Sequence, residues 1–248
     1  MTAPRVDHVV EVDGGAVLDQ VEAFIGRFVA FPSEHTRVAV TLWAAHTHAA
    51  DHFECTPRLA MLSPEPGSGK TRVLEVLETL VPRPVLSVNV TPAYLFRKVS
   101  DEAGIPTILF DEIDTVFGPR AREQEETRGL LNAGHRRGAT AGRCVVRGKV
   151  IETEELPAFA PVAMAGLGDL PDTLMSRSIV VRMRRRAPGE TVEPFRYRLH
   201  ALDGERLCEQ LADWCASLSR RLAWNYYPDL PEGITDRNAD VWEPLGPV

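Results

Sequence analysis

Apolar residues recur at helical spacing near both ends of the chain. Between residues 17 and 28 an apolar side chain returns every three or four positions, which predicts an amphipathic helix. Ser33 is a suitable N-cap for a second helix, which we expect to end near residue 50. From residue 203 another apolar stripe predicts a long final helix. The apolar positions of the first helix are Val17, Val21, Phe24, Ile25 and Phe28, and those of the last are Leu207, Leu211, Trp214, Leu218 and Leu222.

Between these helical regions, short apolar runs alternate with helical patterns. Thr91 and Pro92, a cap followed by proline at the first helical position, begin a helix that we expect to end near Val99. Another helix is predicted from Lys70 to about Leu80. Apolar strands that alternate with helices indicate a parallel sheet covered on both faces, so we expect a three-layer α/β fold with five parallel strands. The predicted strands are RLAMLS, PVLSVNV, TILFDE, PVAMAG and SIVVRM.

These patterns divide the chain of 248 residues into four parts. Residues 1–14 are predicted to form a flexible arm and residues 15–56 an N-terminal helical segment. Residues 57–188 are predicted to form the α/β core, and residues 189–248 a C-terminal helical segment. No apolar run approaches the roughly 20 residues that a membrane-spanning helix needs. The chain does not start with a basic-then-apolar signal segment, so a cytoplasmic location without a membrane partner is expected.

Charge and cysteine content narrow the classes of function. A formal net charge of −7 argues against a protein that coats duplex DNA without specificity. The four cysteines show no CxxC pairing and are expected to be reduced thiols. His46, His48, His52 and Cys55 lie close together, but no acidic residue directly follows His46 or His48, as one follows the first histidine in metalloprotease helices. We therefore interpret them as histidines of a partly exposed helix rather than as a metal site.

A glycine-rich turn connects the first predicted strand to the helix that follows it. Its sequence, GSGKT at residues 67–71, is typical of a phosphate-binding P-loop. Glycines let backbone N–H groups curl around phosphate oxygens, and a helix N-terminus favours negative charge. Lys70 can reach the β and γ phosphates of ATP, and the Thr71 hydroxyl can bind Mg²⁺. The predicted cofactor-binding residues are Pro66, Gly67, Ser68, Gly69, Lys70, Thr71 and Arg72.

The loop departs from the usual pattern at its entry. The P-loop pattern would place its first glycine at position 64, where this chain has Pro64. Proline at positions 64 and 66 restricts φ, so a rigid entry is expected to lead into an open cradle.

Two carboxylates follow the third predicted strand, in TILFDEIDTVFG. Ligands of open α/β sheets bind at the carboxyl ends of the strands, where Asp111 and Glu112 are expected to lie. Asp111 is suited to hold Mg²⁺ through its water shell, and Glu112 is suited to polarise an attacking water. With the lysine loop, this pair predicts ATP binding and hydrolysis with Lys70 and Glu112 as catalytic residues.

Five segments together resemble a particular family. They are SPEPGSGKTR, PTILFDEIDTVFG, LLNAGHRRGATAGRCV, GLGDLPDTLMSRSIVVRMRRR and DRNADVWEPL. The chain, over roughly residues 30–245, resembles the AAA+-like ATPase domains at the C-terminal end of DNA primase–helicases from phages, prophages and other mobile elements. This resemblance implies an additional-strand ATPase sheet, with the fourth strand between the strands that carry the two nucleotide motifs. It also implies ring or filament assembly and ATP-driven movement on single-stranded DNA, with a primase or another replication protein as a possible partner.

The resemblance implies roles for further residues, and the chain departs from the family in two respects. Arg177 lies where AAA+ proteins often place an arginine that reaches the γ-phosphate of a neighbour; the alternative is a surface arginine. Arg237 is a candidate second sensor, whereas a polar sensor on the fourth strand is not evident. Family members continue past WEPL into a lid domain, so the C-terminal segment is expected to be an incomplete lid.

Two basic stretches are candidates for DNA contact. Residues 134–150 carry several cations and no acid, and their glycines suggest mobile turns or a hairpin. A solvated loop or an intersubunit ion-pair partner is the alternative. The run VRMRRR after the last strand could contact DNA, a neighbour or solvent. The candidate DNA-binding residues of the first stretch are Arg136, Arg137, Arg143, Arg147 and Lys149.

Two other functions remain open at this point. One is a nucleotide-dependent interaction module with weak or no turnover, which the short C-terminus favours. The other is a small-molecule kinase, which the Asp-Glu pair and the absence of a visible acceptor pocket in the sequence disfavour.

Overall fold

The computed structural model describes residues 13–87, 91–117, 125–147, 150–218 and 228–246. The helices of these residues are α1 (Gly14–Phe28), α2 (Glu34–Ala49), α3 (Lys70–Leu77), α4 (Pro92–Val99), α5 (Asp114–Phe117), α6 (Glu125–Ala133), α7 (Asp172–Met175), α8 (Tyr197–Leu218) and α9 (Arg237–Trp242). The strands are β1 (Arg58–Ser63), β2 (Pro84–Ser87), β3 (Thr107–Phe110), β4 (Thr140–Arg147), β5 (Val150–Pro157), β6 (Val162–Leu167) and β7 (Ser178–Arg182). Short 3₁₀ turns follow α2 at Ala50–His52 and α9 at Glu243–Leu245.

Five of the strands form one parallel sheet, in the order β2-β3-β6-β1-β7. β6 therefore lies between β1 and β3, which is where the resemblance places the fourth strand. All residues of β1 and β3 are buried, as expected for a parallel sheet covered on both faces. Because the strands are parallel, the carboxyl ends of β1, β3 and β6 meet at the same edge of the sheet.

Two apolar clusters cover the two faces of this sheet. Leu59 and Met61 of β1 belong to a cluster with α1, α2, α3 and α8. Ala60 and Leu62, which point to the opposite face, belong to a cluster with α4, α6 and α7. This arrangement is compatible with the three-layer α/β fold expected from the sequence. The helices before and after the core share the first cluster with the sheet.

The N-terminal helices agree closely with the sequence pattern. The buried residues of α1 are the five apolar positions predicted for it. Asp13 caps this helix, because its side chain accepts a hydrogen bond from the Ala16 amide at 3.2 Å. Ser33 caps α2 in a capping box with Thr36, so the predicted N-cap is confirmed. Thr91 caps α4 by a single side-chain bond, because its hydroxyl accepts from the Tyr94 amide at 3.4 Å.

Helix boundaries are less well predicted. α3 ends at Leu77, because the chain then continues in turns that are tighter than an α-helix. In one of them the Leu80 amide donates to the Leu77 carbonyl, only three residues earlier, at 2.9 Å. α8 begins at Tyr197 instead of residue 203. Its first turns bury His200, Ala201 and Gly204 and expose Leu199 and Leu202, so the sequence shows no apolar stripe in this part of the helix. Residues 88–90 and Leu222, which were predicted to extend β2 and α8, lie outside the described residues, as do residues 1–12 of the predicted arm.

β4 and β5 form an antiparallel pair outside the main sheet. The sequence left mobile turns or a hairpin as alternatives for the glycine-rich stretch, and the structure shows the hairpin. Among the helices of the described residues, none combines the length and the apolar character that crossing a bilayer would need.

Candidate functional site

A cleft of about 870 Å³ lies at the carboxyl ends of β1, β3 and β6. It is lined by residues 66–72, by the segment after β3 and by the end of β6, and the segments that follow α1 and β7 form its other wall. The structure therefore brings both predicted nucleotide motifs into one cleft. The lining includes Pro66, Gly67, Ser68, Gly69, Lys70, Thr71, Arg72, Asp111, Glu112, Asp114, Thr115, Gly166, Leu167 and Arg186.

The glycine loop, residues 66–71, has the backbone that its sequence predicts. Gly67 and Gly69 have φ values of 75° and 85°, in the left-handed region that disfavours residues with a Cβ. Gly69 directly precedes α3, so the loop ends at a helix N-terminus. Alternation of left-handed and right-handed backbone is the conformation that turns successive amides toward an anion. The donor set of this loop therefore fits a phosphate group.

The Lys70 ammonium group lies between the glycine loop and a group of carboxylates. Its Nζ donates hydrogen bonds to the Glu65 carbonyl at 3.1 Å and to the Ser68 hydroxyl at 3.0 Å. Burial lowers the pKa of Lys70, and the nearby carboxylates of Asp114, Asp111 and Glu65 oppose this effect. Lys70 is therefore electrostatically coupled to the residues that follow β3.

Asp111 and Glu112 are held in place by backbone contacts at the end of β3. The Asp111 amide donates to the Ser87 carbonyl at 2.9 Å, and the Asp111 carboxylate accepts from the Glu112 amide at 3.0 Å. Glu112 has a φ of 55°, and the left-handed region costs a residue with a Cβ about 1–2 kcal/mol. The amide and hydroxyl of Thr115 both donate to the Glu112 carbonyl, at 2.9 and 2.8 Å. Such conformations persist where the surroundings enforce them, and they cluster at functional sites.

Asp114 and Thr115 also line the cleft, although neither residue belongs to a motif predicted from the sequence. Asp114 accepts a hydrogen bond from the Leu167 amide at 3.0 Å, which ties the end of β6 to the segment after β3. A Cβ at Gly166 would lie 2.6 Å from the Ile113 side chain and 3.0 Å from the Asp114 carboxylate. A third acid in the stretch DEID could have marked Asp114 as a candidate site residue. Its hydrogen-bond partner Leu167 lies 53 positions later in the chain, so the sequence did not reveal this contact.

Arg72, although predicted to bind the cofactor, has its side chain engaged elsewhere. Its guanidinium donates to the Phe195 carbonyl at 3.0 Å and forms an ion pair with Glu75 at 2.6 Å. The side chain therefore fastens α3 to the segment before α8. A contribution of Arg72 to ligand binding would come from its backbone amide.

The arginines at the end of β7 and directly after it are largely paired within the chain. Arg182 contacts Asp169, and Arg184 forms an ion pair with Glu190 at 2.6 Å. This pairing lowers the pKa of Glu190 to about 2. Arg185 donates to the Pro66 carbonyl at 3.0 Å, so the run supports the entry of the glycine loop. Arg186 lines the cleft.

Arg177 lies at the opposite edge of the sheet from the cleft. It precedes β7, its carbonyl accepts from the Arg58 amide at 2.9 Å, and its guanidinium donates to the Thr173 carbonyl at 2.7 Å. The structure therefore does not bring Arg177 to the cleft of its own chain. Its assignment as a residue that acts on a neighbouring copy remains a prediction.

The candidate DNA-binding residues are distributed over different environments. Arg136 is exposed, whereas Arg137 donates to the carbonyls of Phe53 and Ala50, both at 3.0 Å. Arg137 therefore connects the end of α6 to the 3₁₀ turn after α2. Arg143 and Arg147 lie on β4 at positions whose side chains are outside the described part of the structure, and Lys149 lies outside the described residues.

The hairpin pairs the basic strand with an acidic one. In the antiparallel register Arg143 is opposite Glu154, Val145 is opposite Glu152, and Gly142 is opposite Glu155. Residues 134–150 contain no acid in the sequence, but in the hairpin the glutamates of β5 lie opposite residues of the basic strand β4. These glutamates follow the basic stretch in the sequence, and the hairpin folds them back beside it.

The interpretation of the first histidines as residues of a partly exposed helix is wrong for His46. His46 is fully buried, and its Nε2 lies 3.0 Å from the Thr56 hydroxyl. Burial lowers the pKa of His46 to about 4, so the ring is neutral at pH 7. Within the described ranges, no group of three or more His, Cys, Asp or Glu side chains is suited to hold a metal ion.

Comparisons with known proteins give partial matches. The model of a family described as a protein of unknown function (DUF3631) matches residues 182–248, which is less than half of the chain. An uncharacterized 28.9 kDa protein in the xis 5′ region of Saccharopolyspora erythraea is 46% identical over 63 residues, which are 25% of this chain and 23% of that protein. The match therefore spans about a quarter of the curated relative.

Two solved structures of the NrS-1 C-terminal region also match. The A-form apo structure is 11% identical with a TM-score of 0.41, and the match covers 92% of this chain and 47% of that chain. A second apo structure is 11% identical with a TM-score of 0.44, and the match covers 91% and 50%. Both TM-scores are below 0.5, so neither likeness carries an argument about fold or function.

Proposed function

We propose that the chain is an ATP-binding and ATP-hydrolysing motor of the AAA+-like P-loop class, related to replicative helicases of phages and mobile elements and acting on single-stranded DNA. The observation that supports this most is that the glycine loop and the Asp111-Glu112 pair, which are far apart in the sequence, line the same cleft. The position of β6 between β1 and β3 agrees with the additional-strand type of sheet.

The loop residues would hold the triphosphate of ATP. The backbone amides of residues 67–71 would donate to phosphate oxygens, and the Lys70 ammonium would exchange its bonds to Glu65 and Ser68 for phosphate oxygens. The Thr71 hydroxyl and the Asp111 carboxylate would hold Mg²⁺. Because the described residues contain no cluster suited to bind a metal without other ligands, phosphate oxygens and water would complete its shell.

Glu112 would position the attacking water and accept its proton. The bound MgATP supplies the phosphoryl group and the metal charge that offsets developing negative charge. The left-handed backbone of Glu112 and the bonds from Thr115 to its carbonyl hold this residue at the cleft. A strained conformation maintained at this position is consistent with a role in the reaction.

Assembly of several copies is part of the proposal. Arg177 lies at the edge of the sheet opposite the cleft, so it could reach a nucleotide bound in a cleft only if that cleft belongs to a neighbouring copy. An arginine supplied in trans is worth about 10³–10⁵ in rate in comparable NTPases. A ring or filament would place this residue at a neighbour's cleft.

A nucleotide-dependent interaction module is the second candidate. The hairpin favours it, because the glutamates of β5 lie opposite the basic strand that was predicted to follow a DNA backbone. In this case ATP would control binding to a primase or another replication protein, with weak or no turnover.

ATP turnover and MgATP binding, each measured with and without single-stranded DNA, distinguish these functions. Lys70→Ala should weaken MgATP binding at least about tenfold, because charged hydrogen bonds are worth about 1.5–3 kcal/mol. Glu112→Gln should retain binding and lose about 10²–10⁴ in turnover. Lys98→Ala on α4 and Glu209→Gln on α8 are matched controls away from the cleft.

Each result has a defined meaning. Turnover in the parent chain that DNA stimulates, and that both cleft variants lose, supports the motor. Tight MgATP binding without turnover in the parent chain supports the interaction module. Absence of MgATP binding in the parent chain, or unchanged binding in Lys70→Ala, would exclude both.

A further inference from the structure

A second cavity, of about 350 Å³, lies at the edge of the sheet opposite the cleft. We call it the arginine pocket. Its walls come from the segment before β1, the turn after α6, the residue before β7, and α9. Three arginines that the sequence suggested for separate roles meet in this pocket: Arg136 for DNA contact, Arg177 for a neighbour's nucleotide and Arg237 for a sensor. The residues that line it are Glu54, Cys55, Thr56, Pro57, His135, Arg136, Arg177, Arg237, Asp240 and Val241.

The cations of the arginine pocket lack acidic partners in the described part of the chain. None of the guanidinium groups of Arg136, Arg177 and Arg237 forms a salt bridge with a carboxylate of the described residues. Arg177 donates one hydrogen bond, to the Thr173 carbonyl. The acidic residues of the lining are Glu54 and Asp240, and both are exposed. The walls of the pocket therefore contain two carboxylates, but neither of them forms a salt bridge with the three guanidinium groups in the described structure.

A buried arginine lies close to this pocket. Arg58 is fully buried, and its guanidinium donates to the Ala160 carbonyl at 2.5 Å and to the Leu131 carbonyl at 3.1 and 3.3 Å. No carboxylate of the described residues pairs with it. Burial and the charge of Arg177 lower the pKa of Arg58 to about 9, so it remains charged at neutral pH. A buried, uncompensated cation is costly, and an anion nearby reduces that cost.

We propose that the arginine pocket is an anion-binding site that takes a compact phosphoryl group, contacted by Arg136, Arg177 and Arg237. Planar guanidinium groups match the geometry of phosphate oxygens, and several of them around a concave surface favour a compact, highly charged group. The bound anion also compensates the charge of Arg58. This site does not depend on the nucleotide cleft, which lies at the other edge of the sheet.

Binding of inorganic phosphate to the full chain tests this site. Lys70→Ala serves as the background, because it removes the ammonium group that could hold phosphate in the cleft. In this background we expect calorimetry to detect phosphate binding at constant ionic strength. Arg237→Ala and Arg136→Ala should each weaken it about tenfold, because a charged hydrogen bond is lost. Arg198→Ala, an exposed arginine on α8, is the matched control.

Two results would overturn the proposal: no phosphate binding in the Lys70→Ala background, or the same affinity in Arg237→Ala, Arg136→Ala and the control. Both substituted arginines are exposed and have no side-chain hydrogen bond in the described structure, so the variants should fold. Thermal unfolding verifies this. If the parent chain does not bind MgATP, the proposed function is refuted. The phosphate-binding measurement at the arginine pocket would still stand on its own.

Competition identifies the source of the phosphoryl group. An unphosphorylated single-stranded oligonucleotide that displaces phosphate indicates a nucleic-acid backbone. Displacement by ATP alone, in the Lys70→Ala background, indicates the tail of a nucleotide. Both results support a phosphoryl site. A phosphate affinity that neither competitor alters, together with an equal affinity for chloride, would show general ionic screening and would overturn it.

Discussion

Acidification should destabilise this protein through His46, a residue in the core. His46 of α2 is fully buried, with its ring 5.1 Å from that of Phe53 and its Nε2 against the Thr56 hydroxyl. Burial disfavours the charged ring, so its pKa falls from 6.5 to about 4 on folding. The unfolded chain therefore binds a proton more readily than the folded chain between these two pH values.

The magnitude follows from proton linkage. The contribution of His46 to the free energy of unfolding is fully present above pH 6.5 and is lost as the pH falls toward 4. The loss is about 1 kcal/mol at pH 5.5 and about 2–3 kcal/mol at pH 4.5, where it approaches its limit. Since a folded protein is stable by about 5–15 kcal/mol, this is a considerable fraction.

Urea unfolding of the parent chain and of His46→Gln, at pH 7.5, 5.5 and 4.5, measures this contribution. His46→Gln should be less stable than the parent at pH 7.5, and the difference should shrink by about 2–3 kcal/mol at pH 4.5. Burial also lowers the pKa of His48 and His135, but both residues remain in the two proteins and their effects cancel. His35→Gln, at an exposed position of α2, is the control. A parent chain and a His46→Gln variant with parallel pH profiles would refute the reasoning.

Two further predictions concern backbone and packing. In urea unfolding, Glu112→Gly should be more stable than Glu112→Ala by about 1 kcal/mol, because glycine adopts a φ of 55° without the cost of a Cβ. Equal stabilities of the two variants would show that the left-handed backbone of Glu112 carries no strain. Gly204→Ala should lower the free energy of unfolding by about 1–3 kcal/mol, because the new Cβ would collide with the Thr79 side chain. Gly129→Ala in α6, where a Cβ meets open space, should instead stabilise by up to about 1 kcal/mol, and thermal unfolding of both variants checks the contrast.

Several features could be predicted because their causes are local in the sequence. The buried face of α1 follows from helical periodicity, and Ser33 caps α2 because its side chain reaches an amide three residues away. The conformation of Gly67 and Gly69 follows in the same way, because glycine tolerates positive φ more readily than other residues. The candidate site was predictable for the same reason: one of its halves is a short motif, and the other directly follows a buried strand.

Other features depend on contacts between distant parts of the chain, and no local pattern contains them. The sequence presents Arg58 as the first residue of an apolar strand, and its burial follows from the carbonyls of Leu131 and Ala160. Arg137 was a candidate for DNA contact, and the structure shows it bound to the carbonyls of Ala50 and Phe53. The meeting of Arg136, Arg177 and Arg237 arises in the same way. Periodicity and capping act within one helix or strand, whereas the partner of a side chain depends on which segments folding brings together.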